Sequence, residues 1–158
     1  MQDFIYDIPT KIIFGPEQTK TVGEEIKKFN GSKVLFLYGK NSIKTIGLYD
    51  IVVNSLNSNN ISFVELSGVK PNPSIESVRE GQRLIKENGL DFILAVGGGS
   101  VIDCAKAIAA AADYDGDPWD LVIGKGTFKN PTPIGTILTL AATGSEMNAG
   151  AVISNEST

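Results

Sequence analysis

The chain has 158 residues, 42% hydrophobic and 20% charged, which are proportions of a folded domain with one sizeable core and not of a disordered chain. Its 14 Lys and Arg against 18 Asp and Glu leave a formal net charge of −4, which excludes the basic stripe of a nucleic-acid binder. With no histidine and a single cysteine, Cys104, a Ser-His-Asp triad, a histidine-ligated zinc site and a thiolate cluster are all excluded within these residues.

No apolar run approaches the roughly 18 residues of a membrane span, and the opening Met1-Gln2-Asp3-Phe4 lacks the positive stretch of a secretory signal. One cysteine cannot form an internal disulfide, which fits a reducing cytoplasm. The expected setting is therefore cytoplasmic, with no membrane and no nucleic-acid partner.

In chain order, Phe4 to Phe14 alternates loosely around Pro9 and predicts an edge strand or hairpin. Glu17 to Phe29 predicts a helix with Val22, Ile26 and Phe29 on one side. Lys33 to Tyr38 is a short apolar run stopped by Gly39, a buried strand. Leu48 to Leu56 predicts a shorter helix and Ile61 to Leu66 a second strand. In the next helix, Asn72 to Glu87, Asn72 is the expected N-cap and Pro73 the first helical residue. Ile75, Val78, Gln82 and Ile85 share its face, and Asn88-Gly89 supplies the stop.

Phe92 to Val96 predicts a third strand, and Val101 to Ala112 an alanine-rich helix able to pack closely on a sheet. Asp113 to Pro133 turns to Asp, Gly, Pro and Lys, the composition of a long surface excursion, with Trp119 as its anchor. Ile134 to Leu140 is the fourth strand. Strand–helix alternation of this kind implies an α/β fold with a mostly parallel sheet covered on both faces, because parallel strands need crossover helices.

The residues that carry chemistry gather where strands end. Gly97-Gly98-Gly99-Ser100 leaves the third strand and opens the alanine-rich helix. Glycines let the backbone approach a phosphate, and the helix start offers unpaired N–H groups and the positive end of the dipole. Ser100 is placed to cap the helix or to donate to a phosphate oxygen; a tight turn with a helix cap is the plainer alternative. Asp103, one turn on, is placed to meet a ribose hydroxyl or a nicotinamide, while Lys106 three residues later predicts an exposed ion pair with it.

The fourth strand runs into Thr139-Leu140-Ala141-Ala142-Thr143-Gly144-Ser145-Glu146-Met147-Asn148, small residues and hydroxyls at a strand's carboxyl end. This is either a ligand-lining loop or a polar loop with serine and threonine caps. Gly39-Lys40-Asn41-Ser42 resembles the end of a P-loop, but the upstream glycine is missing and Asn follows Lys. Nucleoside-triphosphate hydrolysis is rejected on that ground, and the loop remains a contact for an adenosine ribose. Cys104 reads as a small buried apolar residue.

In this order, Pro9-Thr10-Lys11-Ile12-Ile13-Phe14-Gly15, Tyr38-Gly39 with Ser42-Ile43-Lys44, Pro71-Asn72-Pro73, Gly97 to Asp103 and Thr139 to Glu146 resemble the iron-containing alcohol dehydrogenase family, in its butanol-dehydrogenase-like branch. The resemblance spans essentially the whole chain. It implies a Rossmann-like three-layer domain, the dinucleotide-binding part of a longer enzyme whose C-terminal all-helical domain is lacking here. It also implies hydride transfer between NAD(P)H and an aldehyde or primary alcohol such as butanal or butanol.

By the same resemblance, Gly97, Gly98, Gly99 and Ser100 form a pyrophosphate cradle, Asp103 and Asn148 lie near the nicotinamide, and Thr139 and Thr143 line the cofactor from a second loop. Gly39, Asn41 and Ser42 surround the adenosine ribose. Members selecting NAD often carry an acidic residue there; Lys40-Asn41-Ser42 with Lys44 beyond carries none, so NADP is expected to be preferred over NAD. The family holds a divalent metal, iron or zinc, with one Asp and three His in its helical domain. No metal ligand and no catalytic residue is therefore expected in this chain, which alone is expected to be inactive. A homodimer through the Phe4–Phe14 strand is a further implication. A glycerol dehydrogenase, a dehydroquinate-synthase-like lyase and a stand-alone dinucleotide-binding module without catalysis are the alternatives.

Overall fold

Runs of branched and aromatic residues form the strands, as a sheet buried on both faces requires. A computed structural model describes residues 8–156, with β1 at Lys33–Tyr38, β2 at Ser62–Leu66, β3 at Phe92–Gly97 and β4 at Ile134–Leu138. All four are parallel, in the order β2-β1-β3-β4. The helices are α1 (Val22–Lys28), α2 (Ser42–Thr45), α3 (Leu48–Ser58), α4 (Ile75–Asn88), α5 (Gly99–Ala111) and α6 (Pro118–Val122), with 3₁₀ turns at Gln18–Thr21 and Ser145–Met147.

The period-two alternation of the strands divides the core. Leu35, Leu37, Ile93 and Ala95 face α4 and α5, where Val78, Ile85, Ile102 and Ile108 meet them. Val34, Phe36, Phe92, Leu94 and Val96 face the other way, against Ile26 of α1 and Val52 and Leu56 of α3. The result is the three-layer α/β architecture expected from the sequence. Where α4 crosses α5, a Cβ on Gly81 would lie 2.4 Å from the Ile108 side chain, so glycine sets the close approach of these helices.

Several predicted elements are displaced, each for a local reason. The Glu17–Phe29 helix is a 3₁₀ turn followed by α1, and it ends at Lys28. Phe29 is its non-helical C-cap, so its side chain leaves the face of buried Ile26 and is 55% exposed. Asn72 does not cap α4. It sits in the left-handed region at φ 54°, and Ser74 is the N-cap. A long-range pairing pulls Pro73 out of the helix: the Ser154 N–H donates to the Pro73 carbonyl and the Ile75 N–H to the Ser154 carbonyl, both at 2.9 Å.

Gln82 does not join the apolar face. Its amide donates to the carbonyls of Ala111 and Tyr114 at 2.9 and 2.8 Å, satisfying the open C-terminal end of α5. Of the predicted Phe4–Phe14 strand, residues 8–14 form no strand, and among the described residues β2 and β4 are the outer strands of the sheet. Residues 4–7 lie outside the described residues. The Asp113–Pro133 excursion contains the unpredicted α6, started by Pro118 and by the Asp117 carboxylate, which accepts the Trp119 N–H at 2.9 Å. Trp119 packs on the α4–α5 core as its anchor. No helix among the described residues is long and apolar enough to cross a membrane.

At the amino edge of the sheet, Asp91 ties two strand starts together. Its carboxylate accepts the N–H groups of Ser32 and Lys33, each at 2.9 Å, and the Ser32 hydroxyl at 2.6 Å. Burial pushes this carboxyl up, but the Ser32 and backbone hydrogen bonds outweigh burial and hold it below its ordinary value. A folded pKa below the unfolded one gives stabilisation that is whole above the unfolded value, near ~3.9, and is lost as pH falls through the folded value. Asp91→Asn should cost about 1–2 kcal/mol near neutral pH. In urea melts that difference should shrink as the pH is taken down through the acid range; an undiminished gap in acid would show that the carboxylate is not its source.

Candidate functional site

The topology opens a crevice at the carboxyl edge of the sheet. β1 feeds α3 on one face, whereas its neighbour β3 feeds α5 on the other. Loops leaving two adjacent strands in opposite directions leave a gap between them, the place where ligands bind in open α/β sheets. Gly97 to Ser100 leaves the carboxyl end of β3 and Gly39 to Ser42 that of its neighbour β1.

The glycines of the turn differ in what they permit. A Cβ on Gly97 would lie 2.6 Å from Val101, so this glycine allows β3 to turn tightly into α5. A Cβ on Gly99 would lie 3.0 Å from the Thr143 hydroxyl, so this one lets the following loop close over the turn. A Cβ on Gly98 would meet nothing within 4 Å. Gly98 is the N-cap of α5, extended at φ −90° and ψ −171°, and no side chain caps the helix. Its carbonyl accepts the N–H groups of Val101 and Ile102 at 3.0 and 3.3 Å. A Cβ at the uncapped start of this 13-residue helix thus meets open space, and helix N–H groups and the dipole at such a start favour an anion. Ser100 lies inside the helix, in its first turn, and is not its cap.

The second loop is bound to the first. The Thr139 N–H donates to the Gly97 carbonyl at 3.0 Å, and exposed Thr143 stands against Gly99. Asp103 turns toward the loop: Oδ1 accepts the Ser145 hydroxyl at 2.5 Å and Oδ2 accepts the Val152 N–H at 3.2 Å. The Asn148 amide donates to the Gly144 carbonyl at 3.0 Å and its Oδ1 accepts the Gly150 N–H at 3.0 Å. Lys106 corrects the expectation of a solvent-exposed ion pair. Its side chain is only 14% exposed, and besides Asp103 at 3.5 Å it reaches the carbonyls of Ser145, Asn148 and Gly150. Residues 145–150 fold back over α5, which sequence spacing alone does not reveal.

At the carboxyl end of β1, the Gly39 carbonyl accepts the Gly68 N–H at 2.9 Å, and the Asn41 carbonyl accepts the Lys44 and Thr45 N–H groups at 3.0 Å, starting α2 at Ser42. Beside it lies a cluster absent from the sequence reading. The hydroxyls of Tyr38 and Tyr49 both donate to Glu65, the latter at 2.7 Å. The Lys44 ammonium stands 4.7 Å from the Tyr49 ring centroid and 5.5 Å from that of Tyr38. Burial raises the Glu65 carboxyl, but the two tyrosine hydroxyls and Lys44 outweigh it and hold the group below its ordinary value. Burial and Glu65 together push the Tyr38 phenol well up. The signal was available in part: alternation along β2 puts Glu65 on the same face as Phe63, toward α3.

Cys104 is fully buried on α5, and burial, with Asp103 beside it, raises its thiol to about 12, so it offers no nucleophile. Among the described residues no group of three or more His, Cys, Asp or Glu side chains is placed to hold a metal ion. The structure brings Gly97 to Ser100, Thr139 and Thr143 together at the carboxyl ends of β3 and β4, ties Asp103 and Asn148 into the loop after β4, and sets Gly39, Asn41 and Ser42 at the carboxyl end of β1.

A family model described as iron-containing alcohol dehydrogenase matches residues 9–158. NADH-dependent butanol dehydrogenase B of Clostridium acetobutylicum is 53% identical over 158 residues, which cover 100% of this chain and 40% of that protein. NADPH-dependent aldehyde reductase YqhD of Escherichia coli is 42% identical over 161 aligned residues, covering 100% of this chain and 41% of that protein. The crystal structure of NADH-dependent butanol dehydrogenase A from Thermotoga maritima superposes with a TM-score of 0.96 at 51% identity, over 99% of this chain and 39% of that one. The chain spans about 40% of the length of the curated relatives it matches.

Proposed function

The chain belongs to the iron-containing alcohol dehydrogenase family, and we propose that its residues form the dinucleotide-binding part of an alcohol dehydrogenase acting on small aldehydes and primary alcohols, butanal and butanol among them. The observation that carries this reading is the uncapped start of α5, where Gly98 faces open space at the point where the sheet's connections diverge. When bound, the dinucleotide supplies or takes up the hydride.

The residues present fit that cofactor. The N–H groups at Gly98, Gly99 and Ser100 hold the pyrophosphate, with the Ser100 hydroxyl as a further donor. Thr139 and Thr143 line the cofactor, and Asp103 and Asn148 shape the wall near the nicotinamide end. Gly39, Asn41 and Ser42 hold the adenosine ribose. The family's metal does not fit this chain: it has no histidine, and the described residues hold no ligand cluster. No step of carbonyl polarisation is assigned to a residue of these 158. A second copy of the chain is the proposed partner of the N-terminal segment, where Ile12, Ile13 and Phe14 are exposed.

NADP is the proposed preference. No carboxylate lies in the Lys40–Lys44 loop, and Glu65, the nearby acid on β2, has both oxygens engaged by Tyr38 and Tyr49. A 2′-phosphate meets cations and hydroxyls there, without a free acid to repel it. Relatives named for NADH and for NADPH both occur, so the choice rests on these local groups. Nicotinamide fluorescence titrations of the 158-residue chain should give NADPH a Kd about tenfold below that of NADH, the effect of one added charge-assisted hydrogen bond. Equal affinities would remove the preference, and no binding of either up to about millimolar concentration, a weak limit of ~4 kcal/mol, would remove the reading.

A further inference from the structure

The Lys106 ammonium gathers oxygens from α5 itself and from the loop that follows β4. It donates to the carbonyl of Ser145 at 2.9 Å, to the carbonyl and Oδ1 of Asn148 at 3.2 Å each, and to the carbonyl of Gly150, and Asp103 Oδ1 stands 3.5 Å away. An ammonium has three donors and no acceptor, so these oxygens share it between them. Three backbone carbonyls and a carboxylate aimed at one point repel one another unless a cation sits among them. With side chains 14% and 18% exposed, Lys106 and Asp103 are only weakly screened by solvent.

The geometry points to Lys106 as the positioning residue of the dinucleotide site: its ammonium is a built-in cation that folds residues 144–152 around itself and so keeps Thr143 over the start of α5. The role of the loop in binding rests on the function proposed above; the cage itself does not. Asp103 completes the clasp one turn earlier on the same helix, holding Ser145 and Val152 with its two oxygens. Two side chains at i and i+3 thus pin both ends of the loop. In Lys106→Ala the missing piece is a propylammonium group, and the emptied oxygen cage should accept n-propylammonium from solution. Tetramethylammonium, which has charge but no N–H, should not be accepted.

The test uses the whole 158-residue chain. Lys106→Met keeps the apolar stem and removes the charge, and its fold is checked by circular dichroism. In this variant the amides of 144–152 should exchange with deuterium at least about tenfold faster, with β1 and β3 unchanged, as expected for a local opening. NADPH affinity should fall about tenfold, the scale of one or two lost loop contacts. In Lys106→Ala, n-propylammonium should restore both loop protection and affinity, whereas tetramethylammonium should restore neither. Unchanged exchange in Lys106→Met, or equal rescue by the two cations, overturns the cage. Faster loop exchange with unaltered NADPH affinity overturns the positioning role. If the unsubstituted chain binds no dinucleotide, the functional reading fails, and loop exchange with its rescue still decides the cage.

Discussion

Gly98→Val should leave the fold intact and weaken dinucleotide binding by about 100-fold or more, the loss of two charge-assisted hydrogen bonds to phosphate. The backbone at Gly98, φ −90° and ψ −171°, is extended and suits a β-branched residue, and a Cβ there meets no protein atom within 4 Å. A valine side chain therefore finds room beside the start of α5, close to where the phosphates are proposed to sit. Thermal melts should coincide with those of the unsubstituted chain, while titration with NADPH should show the loss. Gly97→Ala is the matched control. Its Cβ would press within 2.6 Å of Val101, an overpacking that costs about 1–3 kcal/mol. Stability should fall there, with affinity following only as the folded fraction does. Full affinity in Gly98→Val would place the phosphates elsewhere and remove the cradle.

Phe36→Ala should be the most damaging single core truncation near the site. Phe36 is 0% exposed in the middle of β1, with its ring centroid 5.0 Å from Tyr38, 5.7 Å from Tyr49 and 6.0 Å from Phe63. Removing it gives up the transfer energy of a full aromatic side chain and leaves a cavity, about 3–5 kcal/mol. For a domain of this size the melting temperature should drop by roughly 10 °C. The same truncation at Phe29, 55% exposed beyond the end of α1, should change stability by no more than about 0.5 kcal/mol. Periodicity placed Phe29 on a buried face, so the pair of melts separates helix-pattern burial from burial in the folded chain. A comparable loss at both positions would mean that Phe29 has a partner that α1 does not show.

Much of this was legible from local pattern. β1 runs over Lys33–Tyr38 as the apolar run predicts, and the other strands shift by only one or two residues at their ends. The inner strands β1 and β3 are buried on both faces, so composition alone marks them. The uncapped glycine start of α5, where phosphate binding is proposed, was equally legible, because it resides in the backbone of consecutive residues, Gly97 to Ser100. The family followed from short motifs in a fixed order and is shown by the match over residues 9–158.

Contacts between distant segments were not legible. Ser154 pairs with Pro73 and Ile75 and moves the start of α4 from Asn72 to Ser74, a decision taken about 80 residues away from the helix it affects, where local capping preference has no hold. Lys106 lies three residues from Asp103, and that spacing fits a surface ion pair equally well; only the return of residues 145–150 turns it into a caged cation. Glu65 joins Tyr38 and Tyr49 only because β2 pairs with β1 and α3 packs over both. Residue order alone set which backbone segments form and where a helix opens on glycine with no side-chain cap, because those depend on neighbours within a turn or a strand. Long-range packing set which polar side chains are tied inside the protein, because ties such as Lys106 to Ser145 and Tyr49 to Glu65 join segments far apart in the chain.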